Sequence, residues 1–182
     1  MRFKYNCRIN DFIGIKQGVV GTMKHYAAHW GTALVVVSSL TTILCLGCAL
    51  FVLKNGGMGY LISLSILALV IGCALFGIRG YTITPEAILV HRLFWTTRLP
   101  RTGLQSAVFE PDVMRSSIRT FGNGGFFSFS GFYRNKTLGT YRAFVTDLHQ
   151  TVVLRYGQRT VVVSPAFPEE FVHDLDLTAA GS

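Results

Sequence analysis

Charge is scarce in this chain. Only 14% of its 182 residues are charged, while half are hydrophobic, a balance too apolar for an ordinary soluble domain. Negative charge is scarcest, with nine Asp and Glu against seventeen Lys and Arg. No paired acidic motif, no H-E-x-x-H and no nucleophile elbow occurs, and His91, His149 and His173 lack metal-ligand spacing. Asp147 and His149 lie close together, but a turn there needs polar residues in any case. The expectation is a protein that is not an enzyme and carries no metal or cofactor. Cysteine is sparser still. Of four, Cys45, Cys48 and Cys73 lie in apolar runs and Cys7 in a basic leader, and none follows Arg79, which excludes a disulfide framework. The C-x-x-C at Cys45 and Cys48 has no second pair to complete a zinc site, and small residues for close helix packing account for it better.

What the chain does have is two long uncharged stretches. WGTALVVVSSLTTILCLGCALFVL runs over 30–53 and MGYLISLSILALVIGCALFGI over 58–78, separated by KNGG. Crossing a hydrocarbon core of about 30 Å takes roughly 20 helical residues, so each stretch is long enough to span and the pair forms a transmembrane hairpin. The first is too long and begins too late for a signal-peptide core. Residues 1–29 carry Arg2, Lys4, Arg8, Lys16 and Lys24 against Asp11, Arg79 follows the second stretch at once, and the turn offers only Lys54. Positive residues stay on the cytoplasmic side, which places both termini in the cytoplasm of a multi-pass protein of the cell (inner) membrane. Residues 1–22 show no periodicity, and Met23 opens MKHYAAHW, a natural start before the first helix; translation is expected to begin there.

Beyond Arg79 the texture changes to short alternating runs. Tyr81–Thr84, Ala87–Arg92, Trp95–Pro100 and Tyr141–Thr146 have the look of strands, and Thr151–Tyr156 with Thr160–Ser164 forms a hairpin about Gly157 and Gln158. Pro168, Glu169 and Glu170 suit a first helical turn, and Phe167, Phe171 and Leu175 recur at four-residue spacing, so one helix closes the domain. RTFGNGGFFSFSGFYRNKTLGTY, from Arg119 to Tyr141, satisfies neither the phosphate-loop nor the dinucleotide glycine pattern, since Phe127 stands where a third glycine belongs. Its glycines are expected to serve structure: FGNGG as a turn, Gly124, Gly125 and Gly131 in turns or close packing, and Gly139 in the polar turn before Tyr141.

The block R-T-F-G-N-G-G-F-F-S-F-S-G-F-Y, followed by L-G-T-Y, V-V-V-S-P and P-E-E-F-V, resembles the bacterial pleckstrin-homology (PH) domains that are often joined to transmembrane helices. The resemblance covers residues 79–176, leaving 177–182 as a tail. It implies about seven antiparallel strands in a sandwich or barrel capped by the carboxy-terminal helix, in agreement with the pattern of strands and helix. It does not carry inositol-phosphate binding, because Arg92 and Arg98 do not form the tight basic signature of the eukaryotic relatives.

Half of the net charge of +8 lies in the leader, where the positive-inside rule accounts for it, and no recognition helix is visible, so nucleic acid is not an expected partner. From Arg92 to Arg142 there are eight basic residues against Glu110 and Asp112, whereas residues 143–182 hold two basic and five acidic ones. Arg115, Arg119, Arg134 and Lys136 are expected to orient the domain on the bilayer and dock a partner. The expected function is a membrane-anchored cytosolic module that binds or scaffolds another membrane protein, or a second copy of itself. The alternative is a sensor accommodating a lipid or small apolar ligand among the aromatic side chains.

Overall fold

The computed structural model describes residues 23–54 and 57–179. The proposed start at Met23 concerns residues 1–22, which with Cys7 and most of the basic leader lie outside the described residues.

Two apolar helices, α1 (Thr32–Leu53) and α2 (Met58–Leu75), pack against each other as a hairpin, and both are long and apolar enough to cross a membrane. Small residues bring them together: a Cβ at Gly59 would meet the Val52 backbone, and Ser63 Oγ donates to the Ala49 carbonyl at 2.8 Å. Their outer flanks, including Leu40, Leu44, Leu61 and Leu64, are exposed. Cys45, Cys48 and Cys73 are free thiols. The second apolar run reaches Ile78, but its helix ends at Leu75; Ile78 already belongs to strand β2 (Ile78–Ile83). Its side chain, fully buried, belongs to the domain core.

The strands form two sheets. The smaller has the order β1 (Lys24–Ala27), β2, β3 (Ala87–Arg92) and β4 (Thr96–Pro100). The larger comprises β5 (Leu104–Phe109), β6 (Ile118–Gly124), β7 (Phe129–Asn135), β8 (Gly139–Val145), β9 (Val152–Tyr156) and β10 (Arg159–Val163) in the order β5-β9-β10-β8-β7-β6. Ile88, Val90, Phe144, Leu154 and Val163 meet in one core between them, joined by Phe171 and Leu175 of the closing helix α3 (Pro168–Ala179). The expected sandwich and capping helix are present, with three differences. Nine strands rather than about seven lie between Ile78 and Val163. The β9–β10 hairpin docks so that β10 runs parallel to β8, Val162 opposite Ala143, which interrupts an otherwise antiparallel arrangement. The helix also continues past Asp176 into the expected tail.

A further difference concerns the segment before α1. Lys24–Ala27 forms β1, antiparallel to β2 with Tyr26 opposite Tyr81. Four residues with a single buried side chain are too short for alternation to reveal, and tertiary partners hold them. Ala28 bridges to Pro165, the Gly31 amide donates to the Thr146 carbonyl at 3.0 Å, and His29 Nδ1 lies 2.9 Å from Asp147 Oδ2. Asp147, which the sequence suggests only as a turn residue, accepts the His149 amide as well. The buried carboxylate of Asp174 receives Lys24 Nζ at 2.5 Å and the Tyr26 hydroxyl.

The Asp174 carboxyl loses solvation by burial, which raises its pKa, but hydrogen bonds from Lys24 and Tyr26 outweigh this and leave it below its ordinary value of 3.8. A depressed carboxyl pKa contributes stability that is fully present above the unfolded value and is lost as pH falls through the folded one. Melts of the full-length chain from about pH 6 down to about pH 3 should therefore show an acid-induced loss that Asp174→Asn reduces. At neutral pH the same substitution should cost about 1–3 kcal/mol. An unaltered acid limb would show that β1 is held by other means.

Candidate functional site

The glycine-aromatic stretch builds the contact between domain and helices. Phe121–Gly124, expected in a turn, lies inside β6, and the reversal falls at Gly125–Ser128. The β6–β7 hairpin can form only because two glycines face each other: Gly122 (φ 112°) pairs with Gly131 (φ 146°), and a Cβ on either would come within 2.7–2.8 Å of the other's Cα. At the tip, the Phe127 amide donates to Ser38 Oγ of α1 at 2.9 Å and Ser38 Oγ donates to the Gly125 carbonyl at 3.4 Å. Ser128 Oγ donates to the Phe76 carbonyl at the end of α2 at 3.3 Å. Trp30 meets Phe127 edge-on at 6.4 Å and Phe76 meets Trp95 at 4.9 Å, so a row of rings surrounds the helix ends.

Between the last turns of α2 and the sheet opens a cleft of about 660 Å³, within the size range of small-molecule sites. Ala68, Leu69, Gly72 and Cys73 make its helical wall, and Phe121, Phe132 and Phe144 its aromatic floor. Three arginines from three strands enter it: Arg92 of β3, Arg119 of β6 and Arg142 of β8. No carboxylate among the described residues lines the cleft. Among the described residues none of the three is in an ion pair. Arg92 donates to Ser130 Oγ at 3.0 Å and Thr97 Oγ1 at 3.2 Å, and its buried Nε has no hydrogen-bond partner among the described residues. Its guanidinium lies 5.2 Å from the Phe144 ring centre, and that of Arg142 lies 4.8 Å from the same ring. Burial first, and the nearby Arg142 charge second, lower the Arg92 pKa.

Of the basic residues singled out in the sequence, Arg119 lines this cleft; Arg115, Arg134 and Lys136 do not. Arg115 sits in the turns after β5, Arg134 on β7 opposite Ile118, and Lys136 in the turn before β8. The other two arginines of the cleft stand in the sequence only as members of the basic region, Arg92 without the spacing of a phosphate signature and Arg142 without any mark of its own. A signal exists in YRAFV: Tyr141, Ala143 and Val145 face a second core, shared with Tyr133, Val153 and Val162, and Phe144 faces the first, so Arg142 shares a strand face with a core residue. Of the glycines, Gly125 (φ 114°) and Gly139 (φ 67°) are left-handed, whereas a Cβ on Gly124 would meet only the mobile end of Arg119. Beside the cleft, β6 is the outer strand of its sheet, with Ile118 and Phe121 about three-quarters exposed at 75% and 76%.

Among the described residues no three His, Cys, Asp or Glu side chains gather as a metal site. A two-layer strand domain capped by one helix, fixed to an apolar helix pair and opening a basic, aromatic cleft beside it, has the construction of a small binding module. Residues 79–178, more than half of the chain, match the family model described as Bacterial PH domain, and the chain belongs to that family. No curated protein and no solved structure matches it.

Proposed function

We propose that the protein is a binding module anchored in the cell membrane by α1 and α2, with both termini cytoplasmic, which docks another membrane-associated protein along the open edge of β6. The exposed β6 edge carries this reading. Outer strands are usually blunted by proline, charge or a covering element, since their free N–H and C=O groups recruit further strands. The opposite outer strand, β5, has α3 packed beside it. β6 instead presents Ile118 and Phe121, with Arg115, Arg134 and Lys136 nearby in the chain or across the ladder. The matching partner is an extended segment with apolar and acidic residues, added as a seventh strand. A photocrosslinker at Ile118, which lies outside the cleft, should capture a distinct protein in native membranes. Adducts to this chain alone would identify a homo-oligomer, and adducts to lipid alone would overturn edge docking.

The topology has its own test. β1 leads into α1 and α2 returns into β2, so the domain sits at the end of the hairpin away from Lys54. A cysteine placed at Lys54 should be labelled from outside the cell, and a reporter active only in the cytoplasm should work when fused after Ser182. The reverse pattern would invert the orientation.

A further inference from the structure

We infer that the cleft between α2 and the sheet is a site for one anionic phospholipid, its phosphate held by Arg92, Arg119 and Arg142 and an acyl chain lying along Ala68, Leu69 and Gly72. This goes beyond partner docking, which uses the outer edge of β6.

Chemistry gives the headgroup. Guanidinium groups bind phosphate through planar, paired N–H donors, and three of them converge here from separate strands with no carboxylate among the described residues of the lining to neutralise them. Arg92 and Arg142 both rest on the Phe144 ring and Arg92 is further fixed by Ser130 and Thr97, so two of the three are preorganised, with Arg119 free to close on the phosphate. Geometry gives the tail. Ala68 lies seven residues before the end of α2 at Leu75, roughly 10 Å along the axis at 1.5 Å per residue, so the cleft extends from the helix end toward the hydrocarbon. The rings of Trp30, Phe76, Trp95 and Phe127 surround the helix ends at the level where aromatic residues favour a membrane interface. At Gly72 a Cβ would meet nothing within 4 Å, which leaves space beside the helix for a chain. A free phosphate would satisfy the arginines and leave this apolar wall without an occupant. Diffuse attraction between basic residues and an anionic surface is screened by salt, whereas a phosphate held in a partly buried cleft resists it.

The full-length protein, reconstituted in nanodiscs of phosphatidylcholine and phosphatidylglycerol and released for native mass spectrometry, should retain one phosphatidylglycerol at high salt and no phosphatidylcholine. Arg142→Gln should lower that retention about tenfold, the loss expected for one charge-assisted contact. Gly72→Leu, which leaves every arginine in place and suits a helix, should lower it to a similar extent by filling the space for the chain. It also decides the matter if the arginine variant fails to fold. Arg115, Arg134 and Lys136 changed together to Gln should retain the lipid, which separates this site from docking at the β6 edge. Equal retention of both lipids, or retention unchanged in the Gly72 variant, would overturn the inference. If inorganic phosphate displaced phosphatidylglycerol at low millimolar concentration, the site would belong to a soluble phosphate instead, and the lipid assignment would fail.

Discussion

Valine at Gly131 should unfold the larger sheet. Gly131 and Gly122 face each other across the β6–β7 ladder with φ of 146° and 112°, and each Cα occupies the space a side chain on the other would need. A β-branched residue there meets two penalties: a backbone conformation that L-residues rarely adopt, and overlap with backbone that has no rotamer to escape into. Strain and overpacking each cost about 1–3 kcal/mol, so the sum is about 2–6 kcal/mol, a large part of the stability of a domain this size. Melts of the detergent-solubilised full-length chain would show it as a lost or strongly lowered transition. Two controls separate crowding from conformation. Ala at Gly139, left-handed but with open space around it, should cost about 1–2 kcal/mol. Ala at Gly124, where only the end of Arg119 must move, should cost less. A Gly131→Val protein that melts like wild type would mean the two strands are not in this register.

Truncating Phe171 to alanine should be the most damaging change outside that hairpin. Its ring is fully buried in the core, edge-on to Tyr26 at 5.2 Å and to Tyr81 at 6.3 Å, so one side chain ties α3 to both β1 and β2. Phe→Ala in a close-packed core costs about 3–5 kcal/mol through lost transfer energy and the cavity left behind. Because β1 has few other apolar contacts, its amides should lose protection first. Hydrogen exchange at Tyr26 accelerating more than at Val153, which lies in the second core, would show the order of loss. Equal acceleration at both would mean that β1 has no separate weakness. A fragment beginning at Arg79 lacks β1 altogether, so these measurements need the full-length chain.

The class of protein was legible in the residues because each signal for it is local. Uncharged length selects helices that can cross a membrane, period-two alternation selects strands such as Ala87–Arg92, and Pro168, Glu169 and Glu170 mark a helix start. Those three kinds of pattern, in that order along the chain, already describe an apolar hairpin followed by a strand domain with a closing helix. β1 escaped because its energy comes from partners more than fifty residues away, on β2 and at Asp174, and not from its own four residues. The parallel pairing of β10 with β8 escaped because a hairpin's sequence specifies its turn, not the side on which it docks. The cleft escaped for the same reason at larger scale. Arg92, Arg119 and Arg142 are separated by 27 and 23 residues and look like solvated charges on three strands. Folding places them around one aromatic floor and against α2, and convergence of like charge is a property of positions in space that no local period records.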